Sequence, residues 1–443
     1  MKRYLLVILF VSFMGISIAV AGGPPPEFEV DQEVPSYPED RGVRDEIDIF
    51  LKENQYVNGP NKRDGGGDFF IAVGTGTIQA ARNSPAYLTS RNNAFEKAML
   101  IAKKQMVQYI GVTIKKDVLN EYTEGEDPLE RKQRDADAMK SPNMLDKASA
   151  LISAKLDKML QDEGVDLSKP VPKEVVKKVM TSEVFEKFTH TMAKARVVGM
   201  QAMKVFEASP DGKKGQIGVI AVYSDKLHRI ADAIFIGDTS NMPKGIPKRP
   251  IVDQLPTDNL VLLSTFGVQQ KIDENGRPSL ISFGQSAPRT DNPRSLDAAY
   301  DKAKIEALGA LRSFAGEISL VEGDMYEFES TKEFEDGMEQ YANESYYKDK
   351  IETHADELKI SGFTKIKSWQ AVHPLVNRKV VGVIVSWSPS SAAQAARMGK
   401  KSATQPQENL ALSAQPKKDV YKSGSNQGGS YRSSGSAADK DSF

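Results

Sequence analysis

Ala94-Phe95-Glu96-Lys97-Ala98 and Ala299-Tyr300-Asp301-Lys302-Ala303 carry one pattern written twice, 299 − 94 = 205 positions apart. At the same offset Ala102 falls on Ala307, Met106 on Leu311, Tyr109 on Phe314 and Gly111 on Gly316. Ser90 and Ser295 head the two stretches as candidate N-caps, and the two glycines stand where helices commonly end. Phe95, Ala98, Ala102, Met106 and Tyr109 recur every three or four residues, as do Tyr300, Ala303, Ala307, Leu311 and Phe314, so each stretch predicts an amphipathic helix. Small alanines at the centre of each stripe let such a helix lie close to a sheet.

A second echo follows each helix. Val197-Val198-Gly199-Met200 resembles Ile360-Ser361-Gly362-Phe363, and Gly218–Ser224 resembles Gly382–Ser388. Both places predict hairpins, Ala195–Ala208 with Gln216–Ser224 and Leu358–Val372 with Lys379–Ser388. The last strand of each pair is apolar on both faces (Ile217, Val219, Ile220, Val222; Val381, Val383, Ile384, Val385) and belongs in the middle of a covered sheet. Phe69–Val73 opens the first copy as a short strand that Gly74-Thr75-Gly76 should end. Copy two has an additional leading hairpin, Leu260–Gln270 and Ser279–Phe283 around Asp273-Glu274-Asn275-Gly276. Residues 115–182 have no full counterpart; Ser141-Pro142 predicts the start of an amphipathic helix that carries Leu145, Ala148, Ile152, Leu156 and Met159 and ends near Gly164, and Glu174–Lys187 predicts another. The fold class is therefore α+β: two related modules, each a mixed or antiparallel sheet covered by helices, the first with a helical insertion.

The chain of 443 residues divides accordingly. Residues 1–21 read as a signal peptide, 22–68 as an extended lead-in with one short helix near Arg44–Asn54, and 69–228 as module 1 with its insertion at 115–182. Residues 229–258 form a proline-rich linker, 259–388 module 2, and 389–443 a disordered low-complexity tail with too little apolar surface to offset its ordering entropy. Met1-Lys2-Arg3, the apolar stretch Tyr4–Val20 and the small residues Ala19 and Ala21 give the form of a cleaved export signal. Localisation is then periplasmic or secreted, without an integral membrane segment after cleavage; outer-membrane association would need a partner. With 0 cysteines, disulfides, thiolate metal sites, cysteine catalysis and lipid acylation of cysteine are excluded. The balance of 59 basic and 60 acidic residues gives no global attraction for nucleic acid.

No motif names a reaction. Gly74-Thr75-Gly76-Thr77 lacks the third glycine of a phosphate loop, since Gln79 stands there, and His190, His228, His354 and His373 form no chelating pair at helical spacing. A nucleophile elbow of the form Gly-x-Ser-x-Gly is absent. Neither cofactor nor metal is expected. Tyr326, Tyr341, Tyr346 and Tyr347, interleaved with acidic residues in the stretch 322–356, are the candidate partner-contact residues; the alternative is a helix covering the sheet with a solvated acidic face.

A short strand ending in glycine, a turn, an Ala-x-x-x-Ala-x-x-x-Ala helix and a returning hairpin resembles the Lpp-twenty lipoprotein family. It is also similar to the N-terminal domain of the flagellar ring protein FlgT, with Ala94, Ala98, Ala102 and Ala299, Ala303, Ala307 carrying the likeness. The resemblance implies a small α+β module of envelope assemblies with no catalytic site to carry over, and this chain departs from the lipoproteins in lacking a cysteine. The expectation is a non-enzymatic structural or accessory component of a bacterial envelope assembly that binds proteins, self-association included. A soluble periplasmic binder of a cell-wall or small-molecule ligand, and a hydrolase with unrecognised carboxylates, remain the other readings. Export predicts cleavage between Ala21 and Gly22; N-terminal sequencing of the exported protein should begin at Gly22, whereas a chain beginning at Met1 would make it an anchored one.

Overall fold

A computed structural model describes residues 42–63, 67–123, 128–140, 144–169, 171–195, 197–210, 214–236, 238–240, 242–316, 360–402 and 431–439. The signal sequence and Tyr326, Tyr341, Tyr346 and Tyr347 lie outside them.

The alanine stripes sit on glycines. A Cβ on Gly74 would stand 1.8 Å from the carbonyl oxygen of Ala98, and one on Gly284 2.0 Å from that of Ala303. Ala98, Ala102, Ala303 and Ala307 are all fully buried. Helices α2 (Tyr87–Thr123) and α9 (Pro293–Gly316) therefore lie backbone-to-backbone on strands β2 (Asp68–Thr77) and β6 (Pro278–Ser286). Gly74-Thr75-Gly76 does not end its strand: β2 runs through it, and the glycines are there because the helix leaves no room for a side chain. Nor is Ser90 an N-cap. It sits inside α2, where its hydroxyl accepts the amides of Gln79 (2.9 Å) and Ala80 (3.2 Å), while Ser295 accepts that of Thr290 (3.1 Å).

The remaining strands are β1 (Gly59–Lys62), β3 (Gln201–Ser209), β4 (Gln216–Ser224), β5 (Gly267–Ile272), β7 (Thr364–His373), β8 (Arg378–Trp387) and β9 (Tyr431–Ser434). All pair antiparallel, in the orders β1-β2-β4-β3-β9 and β5-β6-β8-β7. The apolar strands β4 and β8 are interior. Even the irregularities repeat: a register shift between Ala202 and Lys204 recurs between Lys365 and Lys367, 365 − 202 = 163 positions on. Gly199 and Gly362, also 163 apart, both have left-handed backbones (φ 91° and 89°). At each, a Cβ would collide with the start of the helix after the closing strand, 2.7 Å from Leu227 O and 2.5 Å from Ala392 Cα.

Those helices, α7 (Asp225–Ile236) and α10 (Pro389–Ser402), extend the repeat beyond both limits read from the sequence. The linker limit at 229 cuts through α7, and the segment from 389 is not uniformly disordered, because α10 and β9 both fall within it. The leading hairpin is not peculiar to copy two either, since β1 pairs with β2. Leu260 belongs to a short helix, α8 (Asn259–Leu263), whose N-cap Asp258 accepts from the Leu260 amide at 2.7 Å.

In the insertion, α2 continues past Gly111 because Ile114, Val118 and Tyr122 prolong its buried stripe. It packs with α3 (Pro128–Ala138), α4 (Met144–Asp162), α5 (Lys173–Met180) and α6 (Glu183–Ala195). The single helix expected over 174–187 is two, broken at Thr181 and Ser182, whose hydroxyls bond back to the carbonyls of Lys177 and Val179. Tyr122 donates to Asp157 at 2.5 Å, and Arg131 reaches the same oxygen at 3.1 Å while lying 3.9 Å over the tyrosine ring.

Each hydrophobic core draws on both modules. One joins the α2 side of the first sheet (Ala72, Val219, Ala221) to Ile281, Phe283 and Ile384 of the second. The other joins α1 (Val43–Glu53), α7 and the opposite side of the first sheet (Ile71, Ile220, Val222) to α9, Val383 and Val385. The described residues consequently all belong to one compact unit, Glu33–Phe443. No helix among them is long and apolar enough to cross a membrane.

Glycine substitution separates packing from propensity. Gly74→Ala and Gly284→Ala should each lower stability by about 1–3 kcal/mol or more through overpacking. Gly111→Ala, with no atom within 4 Å of the added Cβ, should raise it by about 0.5–1 kcal/mol. Denaturant unfolding of the three variants gives the signs.

Candidate functional site

The strongest concentration of buried polar chemistry lies on the seam between the modules. Arg91, one residue after Ser90 on α2, is 1 % exposed. Its Nε donates to Glu207 Oε2 at 2.7 Å, one terminal nitrogen to Gln285 Oε1 at 3.1 Å and the other to Leu263 O at 2.5 Å. The guanidinium lies 4.6 Å over the ring of Phe266, which stacks on Phe95 at 4.9 Å. Glu207 Oε1 meets His373 Nε2 at 3.1 Å, and the His373 ring meets Tyr87 edge-on at 5.9 Å.

Three long-range elements deliver these groups. Arg91 comes from the first turns of α2, Glu207 from β3 and His373 from the end of β7, so the charges bridge module 1 to module 2. Gln285 completes the arrangement from β6. Its amide nitrogen donates to Leu262 O (3.0 Å), Leu263 O (2.9 Å) and Thr265 O (2.8 Å), satisfying carbonyls at and just beyond the C-terminal end of α8. Nearby, Gln270 N donates to Gln201 Oε1 at 2.7 Å, tying β5 to β3.

Burial by itself would push the Glu207 carboxyl up, but Arg91 and His373 outweigh it and hold the group at about 2, below the ordinary 4.5. A carboxylate and an imidazole in contact are groups that elsewhere move protons, with a guanidinium as a fixed positive charge beside them. Here their bonds include ones to one another, to the Gln285 side chain and to the Leu263 carbonyl, with exposures of 0–1 %. The arrangement fixes geometry. Among the described residues no group of three or more His, Asp or Glu is placed to hold a metal ion.

Sequence reasoning did not find Arg91 or Glu207, and considered His373 only for metal spacing. The available signal was a departure from the repeat. Arg91 stands where copy two has Leu296, and Glu207 where it has Gln370, so a charged pair in one copy replaces an uncharged pair in the other. The tyrosines proposed from sequence, Tyr326, Tyr341, Tyr346 and Tyr347, lie outside the described residues.

Because the Glu207 pKa is depressed on folding, its contribution is present above about 4.5 and lost as pH falls towards about 2. Glu207→Gln should remove that acid-sensitive component, and at neutral pH should cost on the order of 3–5 kcal/mol by leaving Arg91 buried without its counter-charge. The pair Arg91→Leu with Glu207→Gln, which restores copy two's residues, should be more stable than Glu207→Gln alone. Denaturant midpoints across this pH range measure both effects.

A family model described as a domain of unknown function (DUF6844) matches residues 142–235, which span α4 to α7 and less than half of the chain. No curated protein sequence matches. Among solved structures, the crystal structure of the hypothetical protein FTT1539c from Francisella tularensis is similar at 20 % identity with a TM-score of 0.45, covering 78 % of this chain and 90 % of that one.

Proposed function

We propose that this chain is an exported, non-enzymatic structural or accessory component of a bacterial cell-envelope assembly, and that it acts by binding protein. The export half of the proposal rests on the N-terminal sequence Met1–Ala21. The binding half rests on one observation. The helical layer of the first module presents large apolar side chains to solvent, with Val112 on α2 at 67 % exposure, Leu129 on α3 at 75 % and Val184 on α6 at 60 %. On the same two helices Lys115 of α2 and Glu186 of α6 form an exposed ion pair at 2.8 Å. Exposed apolar side chains on a helical layer that also carries polar pairs suit a protein partner.

The insertion is the part of module 1 that the repeat does not require, and the common core is already served by the alanine stripe. The acidic, aromatic stretch with Tyr326, Tyr341, Tyr346 and Tyr347 is, on its sequence, a second contact segment of the same proposal. The mechanism would be surface complementarity, with different partners offered by the two modules.

Affinity isolation from native envelopes tests this directly. The wild-type chain should recover a partner, and Val112→Asp with Val184→Asp should lower the yield about tenfold or more without lowering the unfolding midpoint. Equal recovery by both chains, or no partner with either, would remove the proposal. Single Tyr→Ala changes at the four tyrosines, read the same way, decide whether the second segment contributes.

A further inference from the structure

The C-terminal strand does more than extend a sheet. Tyr431–Ser434 pairs with Phe206–Ser209 at the edge of β3, and the main-chain bonding continues beyond it. Gly435 N donates to Val205 O at 2.9 Å and Ala438 N to Met203 O at 2.7 Å. On its other side the segment is held by module 2: Ser433 bonds Ser264, Ser436 N donates to Thr265 Oγ1 at 3.0 Å, and Gln269 Nε2 donates to Ser436 O at 2.9 Å. The slot thus has one wall from each module.

Its selectivity is legible in three side-chain positions. Arg432 reaches Glu46 on α1 at 2.7 Å, where the carboxylate side chain is only 5 % exposed. Asp439 pairs with Lys248. Between them, a Cβ on Gly435 would stand 2.1 Å from Ser264 O, so backbone closes the slot to any larger residue there. The segment between 402 and 431 that tethers this strand has a Ser-, Gln-, Gly- and Lys-rich sequence with no long apolar run.

We infer that the inter-module slot is a peptide-binding site. It takes an extended segment of the form Arg432-x-x-Gly435-x-x-x-Asp439, and the chain's own C-terminus is its resident ligand. Backbone pairing to β3 supplies affinity without sequence preference, while the buried Glu46, the close approach at Gly435 and Lys248 supply specificity, as in other cases of strand addition. The tether raises the local concentration of the segment, so the same contacts that bind it in cis accept it in trans once the tether is cut. The inference goes beyond the envelope proposal and holds with or without it.

The test uses the full chain with a protease site placed within residues 403–430. After folding and cleavage, the freed segment is removed under mild denaturant and its loss confirmed by mass; the protein is then mixed with a fluorescent peptide of residues 429–443, and anisotropy is followed. Saturable uptake is expected, with Gly435→Val and Arg432→Ala versions of the peptide at least about tenfold weaker. No uptake, or equal uptake of the wild-type and Gly435→Val peptides, would overturn the assignment.

Discussion

A helix resting directly on a strand, with glycine beneath and alanine above, is the constraint from which this structure follows. Where Gly74 meets Ala98 and Gly284 meets Ala303, the separation leaves no volume for even one methyl group on the strand. Such closeness fixes the helix axis over one pair of neighbouring strands, β2 with β4 and β6 with β8. The flanking strands β3 and β7 then add in the same order, with the same bulge and the same left-handed glycine before it. Larger residues at the ends of each stripe, Met106 in one copy and Leu311 and Phe314 in the other, fill the margins that the close contact leaves.

The copies have diverged where they meet. α2 and α9 feed different hydrophobic cores, and each core is completed by residues of the other module. On the seam the uncharged pair of copy two has become Arg91 and Glu207, satisfied by His373, Gln285 and the end of α8. Buried charges of this kind contribute little net stability but penalise every arrangement that separates them. The C-terminal strand adds a second tie across the same seam, made largely of backbone and hydroxyl bonds.

What the sequence makes legible is whatever hydrophobic periodicity encodes. The paired helices, the interior position of β4 and β8 and the amphipathic α4 all follow from apolar spacing. Elements held by other forces were not legible. β1 is a four-residue strand of Gly, Pro, Asn and Lys before a glycine run, with almost no apolar pattern. α10 is rich in serine and alanine, and β9 reads Tyr-Arg-Ser-Ser, so both look like low-complexity tail although β9 is fixed by main-chain pairing and Arg432. Gly111 suggested a helix end, but packing of Ile114, Val118 and Tyr122 carries α2 past it. Arg91 and Glu207 are separated by 116 positions, and no local pattern links them. Only the comparison of one copy with the other exposes the pair, and residue types alone do not show that they touch.

The central claim is that the two modules form one cooperative unit, each built on the same glycine–alanine contact and closed together at the seam. Native-state hydrogen exchange of β4 and β8 tests it most directly. The amides of both interior strands should exchange with one common opening free energy, and Ala98→Leu, placed in module 1 alone, should lower protection in β8 by the same amount as in β4. Loss of protection confined to β4, with β8 unchanged, would contradict the account and make the modules independent.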